Sequence, residues 1–163
     1  MSMGSDAIVD VAFDDPRVVE LRQRQAAEMA DLYGRPRHDV GAEDIDGDSV
    51  VACLLALDGD RPVGTVSLRR LRDLVEIKRM YIPPDARGTG LSRRLLAEIE
   101  ERAAQVTDRV VLHTGERQAA AIALYERSGY TPIDIYPPYD DVPESLCFEK
   151  HVTGGCAGQS PRV

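Results

Sequence analysis

The chain has 163 residues, a length that fits one domain with a sizeable core. It carries 28 Asp and Glu against 20 Lys and Arg, a formal charge of −8, which argues against nucleic acid as the main partner. No apolar run reaches membrane-spanning length, no secretory leader is visible, and Cys53, Cys147 and Cys156 have neither metal nor redox spacing, so the expectation is a metal-free cytoplasmic protein without a membrane role.

In chain order, residues 8–13 read as a first strand. Asp15-Pro16 is a helix start, a carboxylate cap followed by proline at the first helical position. Val18, Leu21, Ala26, Met29, Leu32 and Tyr33 then recur at roughly helical spacing, and Gly34 can end the helix. Residues 35–49, rich in Gly, Asp and Pro, read as a loop with room for a short helix. Residues 50–57 are an unbroken apolar run, as expected of a strand buried on both faces. Asp58-Gly59-Asp60-Arg61 is a hairpin turn, and residues 63–71 and 74–82 are two further strands. Leu91, Leu95, Ile99 and Ala103 fall four apart, one stripe of a helix packed on a sheet. Residues 109–113 form a strand that ends in His113. Residues 117–127 form an Ala-rich helix stopped by Gly129, and residues 145–150 form a late strand. Residues 1–152 make a single domain, and residues 153–163, low in bulky side chains, are expected to be a mobile tail. Strands grouped early, followed by alternating strand and helix, imply a mixed α/β sheet with helices on both faces.

The stretch from 75 to 96 is the most informative. A strand-like run ends at Pro83-Pro84, the loop Arg87-Gly88-Thr89-Gly90 follows, and a helix opens behind it. Glycines at the mouth of a helix leave backbone N–H groups pointing outward, where the helix dipole adds positive charge, and that is a phosphate-binding device. It is not a P-loop, because Leu91-Ser92 stands where Lys-Ser/Thr is needed. It is not the dinucleotide fingerprint, because Arg93 stands where the third glycine belongs. The span 61–94 carries nine Lys and Arg against three carboxylates in a chain that is otherwise acidic, so an anionic ligand suits this part.

Arg87-x-x-Gly90-x-Ser92 resembles the pyrophosphate loop of the GNAT superfamily of N-acetyltransferases, Arg/Gln-x-x-Gly-x-Gly/Ala, with the small Ser92 departing at the last place. Gln118-x-x-Ala121-x-x-Leu124-Tyr125 followed by Gly129-Tyr130 resembles the same family's Asn-x-x-Ala-x-x-Leu-Tyr helix and its Gly-Tyr/Phe end, with Gln118 where Asn is usual. Residues 137–150 are similar to the last strands of bacterial small-molecule members. The resemblance implies an α/β (α+β) fold with a mixed, mostly antiparallel central sheet, flanking helices and splayed central strands. It implies acetyl-CoA as cosubstrate, no metal, and a small-molecule amine acceptor that attacks the thioester directly. Dimerisation is common in that family, which leaves a homodimer open.

By the same resemblance, Arg87, Gly88, Thr89, Gly90, Leu91 and Ser92 hold the CoA pyrophosphate. The backbone of Met80, Tyr81 and Ile82, on a bulged strand, meets the pantetheine arm and thioester, and Gln118 joins the cofactor side. Tyr125 stands where the family often places a general acid for the departing thiolate. Its phenol is a weaker acid than a thiol, so its value lies in position. Glu76 is the candidate general base, directly or through water, with an outward glutamate paired to Lys78 or an arginine as the plain alternative. Strict alternation places Glu76, Lys78, Met80 and Ile82 on one face if no bulge intervenes. His113 is a second candidate base by its intrinsic pKa, with a loop-edge histidine as the simpler reading. Two acidic groups, Glu43, Asp44, Asp46 and Asp48, and Asp134, Asp140, Asp141 and Glu144, flank the acceptor side in that fold and are expected to draw a cationic amine. The rival function is a non-catalytic acyl-CoA-binding or regulatory module, which Tyr125 argues against.

Overall fold

The computed structural model describes residues 6–34 and 45–152. The expected tail 153–163 and residues 35–44 of the expected loop, with Glu43 and Asp44, lie outside the described residues. Seven strands form one sheet: β1 (Ala7–Asp10), β2 (Val50–Asp58), β3 (Arg61–Leu71), β4 (Leu74–Tyr81), β5 (Arg109–Gly115), β6 (Thr131–Ile133) and β7 (Ser145–His151). The spatial order is β1-β2-β3-β4-β5-β7-β6. Among the described strands only the β4–β5 pair is parallel. The helices are α1 (Pro16–Tyr33), α2 (Leu91–Ala104) and α3 (Ala119–Arg127). This is the mixed, mostly antiparallel α/β architecture expected.

The ends of α1 follow from the chemistry of the sequence. Asp15 caps the helix by accepting from Arg17 N at 2.9 Å, Pro16 takes the first helical position, and Gly34 closes the helix at φ 70. Differences lie where local signals are weak. β1 spans four residues and β5 runs on past His113 to Gly115. β6, which sequence patterning did not reveal, is a three-residue edge strand holding Pro132, tolerated there because an edge needs fewer ladder bonds.

Two layers cover the sheet. On one face α2 sets Leu91, Leu95, Leu96 and Ile99 against Leu54, Ala56, Val66, Leu68 and Ile77, joined by Leu124 and Tyr125 of α3. Leu95 and Ile99 are fully buried, each contributing on the order of 1.5–3 kcal/mol by leaving water. On the other face α1 packs Val18 and Leu21 on Cys53, Leu55 and Tyr81. Beside it Tyr136 and Tyr139 cover Val111 and Cys147. Gly64 of β3 lets α2 come close: a Cβ there would lie 2.7 Å from Ile82 Cδ1 and 2.9 Å from Leu95 Cδ1. Among the described residues no helix is long and apolar enough to cross a membrane.

Candidate active site

Two irregularities in the centre of the sheet shape the site. Along β3 and β4, Thr65 pairs with Tyr81 and Ser67 with Lys78, so β4 holds one residue more than its partner. That is a β-bulge, and Arg79 within it takes φ 62, in the left-handed region. On the other side of β4, the parallel ladder to β5 consists of Glu76 with Val111 and Ile77 with Leu112. Beyond those pairs β4 continues to Tyr81 and β5 to Gly115 without pairing, so the two strands part. The bulge breaks the alternation expected of β4. Glu76 and Lys78 keep one face, whereas Met80 and Ile82 pack with the α2 layer and Tyr81 with α1.

The glycine loop leads straight into α2. Gly88 and Gly90 have φ 84 and 80, and a Cβ at either would meet nothing within 4 Å, so the surface there is open. Gly90 caps α2 with no side-chain hydrogen bond, and the first turn contains no acidic residue. Its leading N–H groups therefore face outward, as a phosphate site needs. Leu91 is buried in the core and only its backbone is offered, with Ser92 half-buried beside it. Thr89 Oγ1 makes a long contact, 3.5 Å, to Ala86 O. The Arg87 side chain is held by its own protein. Its Nε donates to Ile82 O at 2.8 Å, and its Nη2 donates to both Glu28 oxygens at 2.9 and 2.7 Å. Arg87 thus ties the loop to α1 and to the end of β4. Tyr81 OH donates to the same Glu28 at 3.2 Å, and Gln25 Nε2 donates to Met80 O at 2.9 Å, so α1 also fixes the bulge.

Tyr125 lies on α3, 6% exposed, edge-on to Tyr130 at 5.7 Å between centroids and near Phe148. Burial pushes its phenol up to about 12. Its hydroxyl makes no hydrogen bond to any described residue. Gln118 precedes α3 as its N-cap.

Glu76 is fully buried. Its Oε1 accepts from Arg69 Nε at 2.8 Å and its Oε2 from Tyr136 OH at 2.5 Å. Arg69 Nη2 also donates to Tyr139 OH at 3.1 Å. Burial first, and the Glu76 charge second, push both tyrosines well above the usual phenol range. Tyr139 stacks on His113, ring centroids 3.8 Å apart and planes 2° from parallel. Ser145 Oγ donates to Val142 O at 2.7 Å and lies 2.8 Å from His113 Nε2.

Where β4 and β5 part, a cleft opens that is lined by Gln25, Met29, Lys78, Arg79, His113, Thr114 and Gln118. Gln118 and His113 thus come together with the bulge, while Glu76 stands behind the lining and not in it. Patterning missed the Arg69–Glu76–Tyr136–Tyr139 network. The one available signal was Tyr136-Pro-Pro-Tyr139, two large aromatics in a turn-rich stretch. Among the described residues no cluster of His, Cys, Asp and Glu is placed to hold a metal ion.

The family model described as "Acetyltransferase (GNAT) family" matches residues 15–130. An IAA acetyltransferase of Azospirillum brasilense is 43% identical over 76 residues, 46% of this chain and 50% of the relative. The mycothiol acetyltransferase of Beutenbergia cavernae is 38% identical over 65 residues, 39% of this chain and 22% of that protein. The chain thus spans half or less of the curated relatives it matches. A crystal structure from Klebsiella pneumoniae, assigned provisionally as an acyl-CoA N-acyltransferase, superposes at TM-score 0.77 with 28% identity, covering 91% of this chain and 99% of that one. The PaiA N-acetyltransferase of Thermoplasma acidophilum, in complex with coenzyme A, shares the fold at TM-score 0.68 and 15% identity over 90% of this chain and 99% of that one.

Proposed function

The chain belongs to the acetyltransferase (GNAT) family, and from that membership we propose that it transfers an acetyl group from acetyl-CoA to an amine by direct attack. One observation carries the reading: the parting of β4 and β5 beside a bulge, with an uncapped glycine-led helix mouth on the same stretch of chain. The helix mouth suits the pyrophosphate, through backbone N–H groups of residues 88–92. The parted strands suit the pantetheine arm, with the backbone of Met80, Tyr81 and Ile82 along one wall and Gln118 along the other.

The neutral amine nitrogen would attack the thioester carbon, the carbon–sulfur bond would break, and the thiolate would leave and gain a proton as CoA. Tyr125 is the donor to that sulfur. A phenol held to about 12 keeps its proton throughout the neutral range, so it serves as a fixed hydrogen-bond donor. The amine's own proton has two candidate receivers. His113 lines the cleft, which favours direct removal there. Glu76, locked by Arg69 and Tyr136, would reach the amine only through water or its neighbours, and otherwise fixes the network on which His113 rests. Acetyl-CoA-dependent thiol release with a panel of amines tests the reading. Tight CoA binding with no acceptor turned over would leave a binding module instead. Comparing His113→Asn with Glu76→Gln over the pH range identifies the base, because the true one abolishes the acid limb of kcat/KM.

A further inference from the structure

A loop that binds an anion gains from cationic side chains, and Arg87 opens the loop before α2. Its charge is nonetheless matched within the protein. Glu28 of α1, 59 residues away in sequence, accepts from Arg87 Nη2 through both oxygens, at 2.9 and 2.7 Å. Arg87 Nε donates to Ile82 O at 2.8 Å, so one guanidinium bridges α1 and the chain just past β4. Glu28 also accepts from Tyr81 OH at 3.2 Å. One turn earlier on α1, Arg24 pairs at 3.7 Å with Asp85, in the turn that leads into the loop. Beyond Arg87 the loop has little to stiffen it. Gly88 and Gly90 take positive φ, and the Thr89 hydroxyl reaches Ala86 O at a long 3.5 Å. The Glu28 and Arg87 side chains are 33% and 46% exposed, so their ion pair adds little to overall stability. On charge alone, a carboxylate beside an anion site weakens anion binding. The use of Glu28 must lie in geometry.

We propose that Glu28 is a positioning residue for the cofactor: acting through Arg87, it holds the glycine loop in the shape that presents the N–H groups of residues 88–92 to the CoA pyrophosphate. This rests on the acetyl-transfer reading above and adds a residue to it. Ordering a glycine loop in advance removes an entropy cost that the ligand would otherwise meet on binding. The role fits arginine at position 87. A lysine ammonium could reach Ile82 O or Glu28, but it lacks the fork that serves both at once. Arg87 then serves the cofactor through the shape of the loop, with its charge matched by Glu28.

The sign of one substitution separates this role from its rival. If Arg87 meets the phosphate directly and Glu28 only competes for it, removing Glu28 frees a cation and CoA binds more tightly. If Glu28 positions the loop, the same change weakens binding although a negative charge has gone. Titration calorimetry of the whole chain with CoA reads the difference. Glu28→Ala, a substitution that suits a helix interior, should bind CoA roughly tenfold or more weakly, with its urea midpoint near that of wild type. Arg87→Ala and Arg87→Lys should lose a similar factor. The Glu28→Ala, Arg87→Ala double variant should bind no more weakly than the poorer single one, because both break the same link. Glu28→Gln keeps an oxygen for Arg87 and should recover part of the loss. Affinity in Glu28→Ala equal to or above wild type overturns the proposal, as do additive losses in the double variant. Should Glu28→Ala not fold, Arg87→Lys decides, since it keeps the charge and loses the fork; wild-type affinity there overturns the positioning role. A wild-type chain that binds no CoA overturns the acetyl-transfer reading and this inference with it. Tight wild-type binding with no loss in Glu28→Ala removes the positioning role alone.

Discussion

Tyr125 belongs to the core, and its proposed part in the chemistry can be separated from its packing. It packs on Tyr130 and Phe148 while its hydroxyl stays uncommitted. Tyr125→Phe removes one oxygen and keeps the packing, so the substitution separates the two roles. Turnover should fall by about 10²-fold, the usual loss of a positioned acid, with CoA affinity nearly unchanged. Turnover equal to wild type would leave Tyr125 as packing alone. The raised pKa gives a second check. Burial favours the neutral phenol, the form that donates, and that form persists up to about 12. The rate should therefore not fall on account of Tyr125 anywhere below pH 10. An alkaline inflection near 9 that vanishes in Tyr125→Phe would contradict the assignment.

At the scale of elements, the loop before α2 and the strands around it make separable predictions. Gly90 and Gly59 both have positive φ, 80 and 62, and both have open space where a Cβ would stand. Alanine at either should cost roughly 1–2 kcal/mol of backbone strain. Gly59 lies in the turn between β2 and β3, whereas Gly90 opens α2, so only Gly90→Ala should also weaken CoA binding, by tenfold or more in titration calorimetry. Equal losses in both variants would remove the loop from the cofactor site. Gly64→Ala should destabilise by ~1–3 kcal/mol in urea melts through overpacking against Ile82 and Leu95, and a neutral outcome would mean those side chains yield freely. Elements with local chemistry were readable from sequence. Asp15, Pro16 and Gly34 marked α1, and the fourfold spacing from Leu91 to Ala103 marked the buried stripe of α2. What depends on pairing was not readable. The bulge exists only as a register between β3 and β4, so sequence alternation put Met80 and Ile82 on the face of Glu76 and gave no hint that Lys78 and Arg79 share a cleft. The Glu76 network was hidden for the same reason, because Tyr136 and Arg69 are 67 residues apart in the chain and meet only in the fold.

For the whole molecule, the buried phenols set an alkaline limit. Tyr125, Tyr130, Tyr136 and Tyr139 are each less than 10% exposed, and each is pushed above the ordinary phenol value of 10.0, first by burial. Tyr130 OH donates to Glu100 at 2.8 Å and Tyr136 OH to Glu76 at 2.5 Å, so ionisation would set two negative charges side by side. The sign follows from linkage. A group whose folded pKa lies above its unfolded value binds its proton more tightly when folded. Its contribution is complete below the unfolded value near 10 and is lost as pH rises toward the folded value. Each such tyrosine adds a slope of about 1.4 kcal/mol per pH unit above pH 10, and four acting together would exhaust a marginal stability within one to three units. Urea midpoints should therefore be level from pH 7 to 9 and fall steeply above 10. Tyrosinate absorbance separates this from the titration of surface lysines and their ion pairs, because Tyr125, Tyr130, Tyr136 and Tyr139 should ionise in the same step that exposes the core. Tyr136→Phe removes one of the four and should make the alkaline fall shallower. If more than two tyrosinates per chain appeared in the folded protein near pH 10, with the urea midpoint unmoved, these four phenols would not be buried and bonded as described.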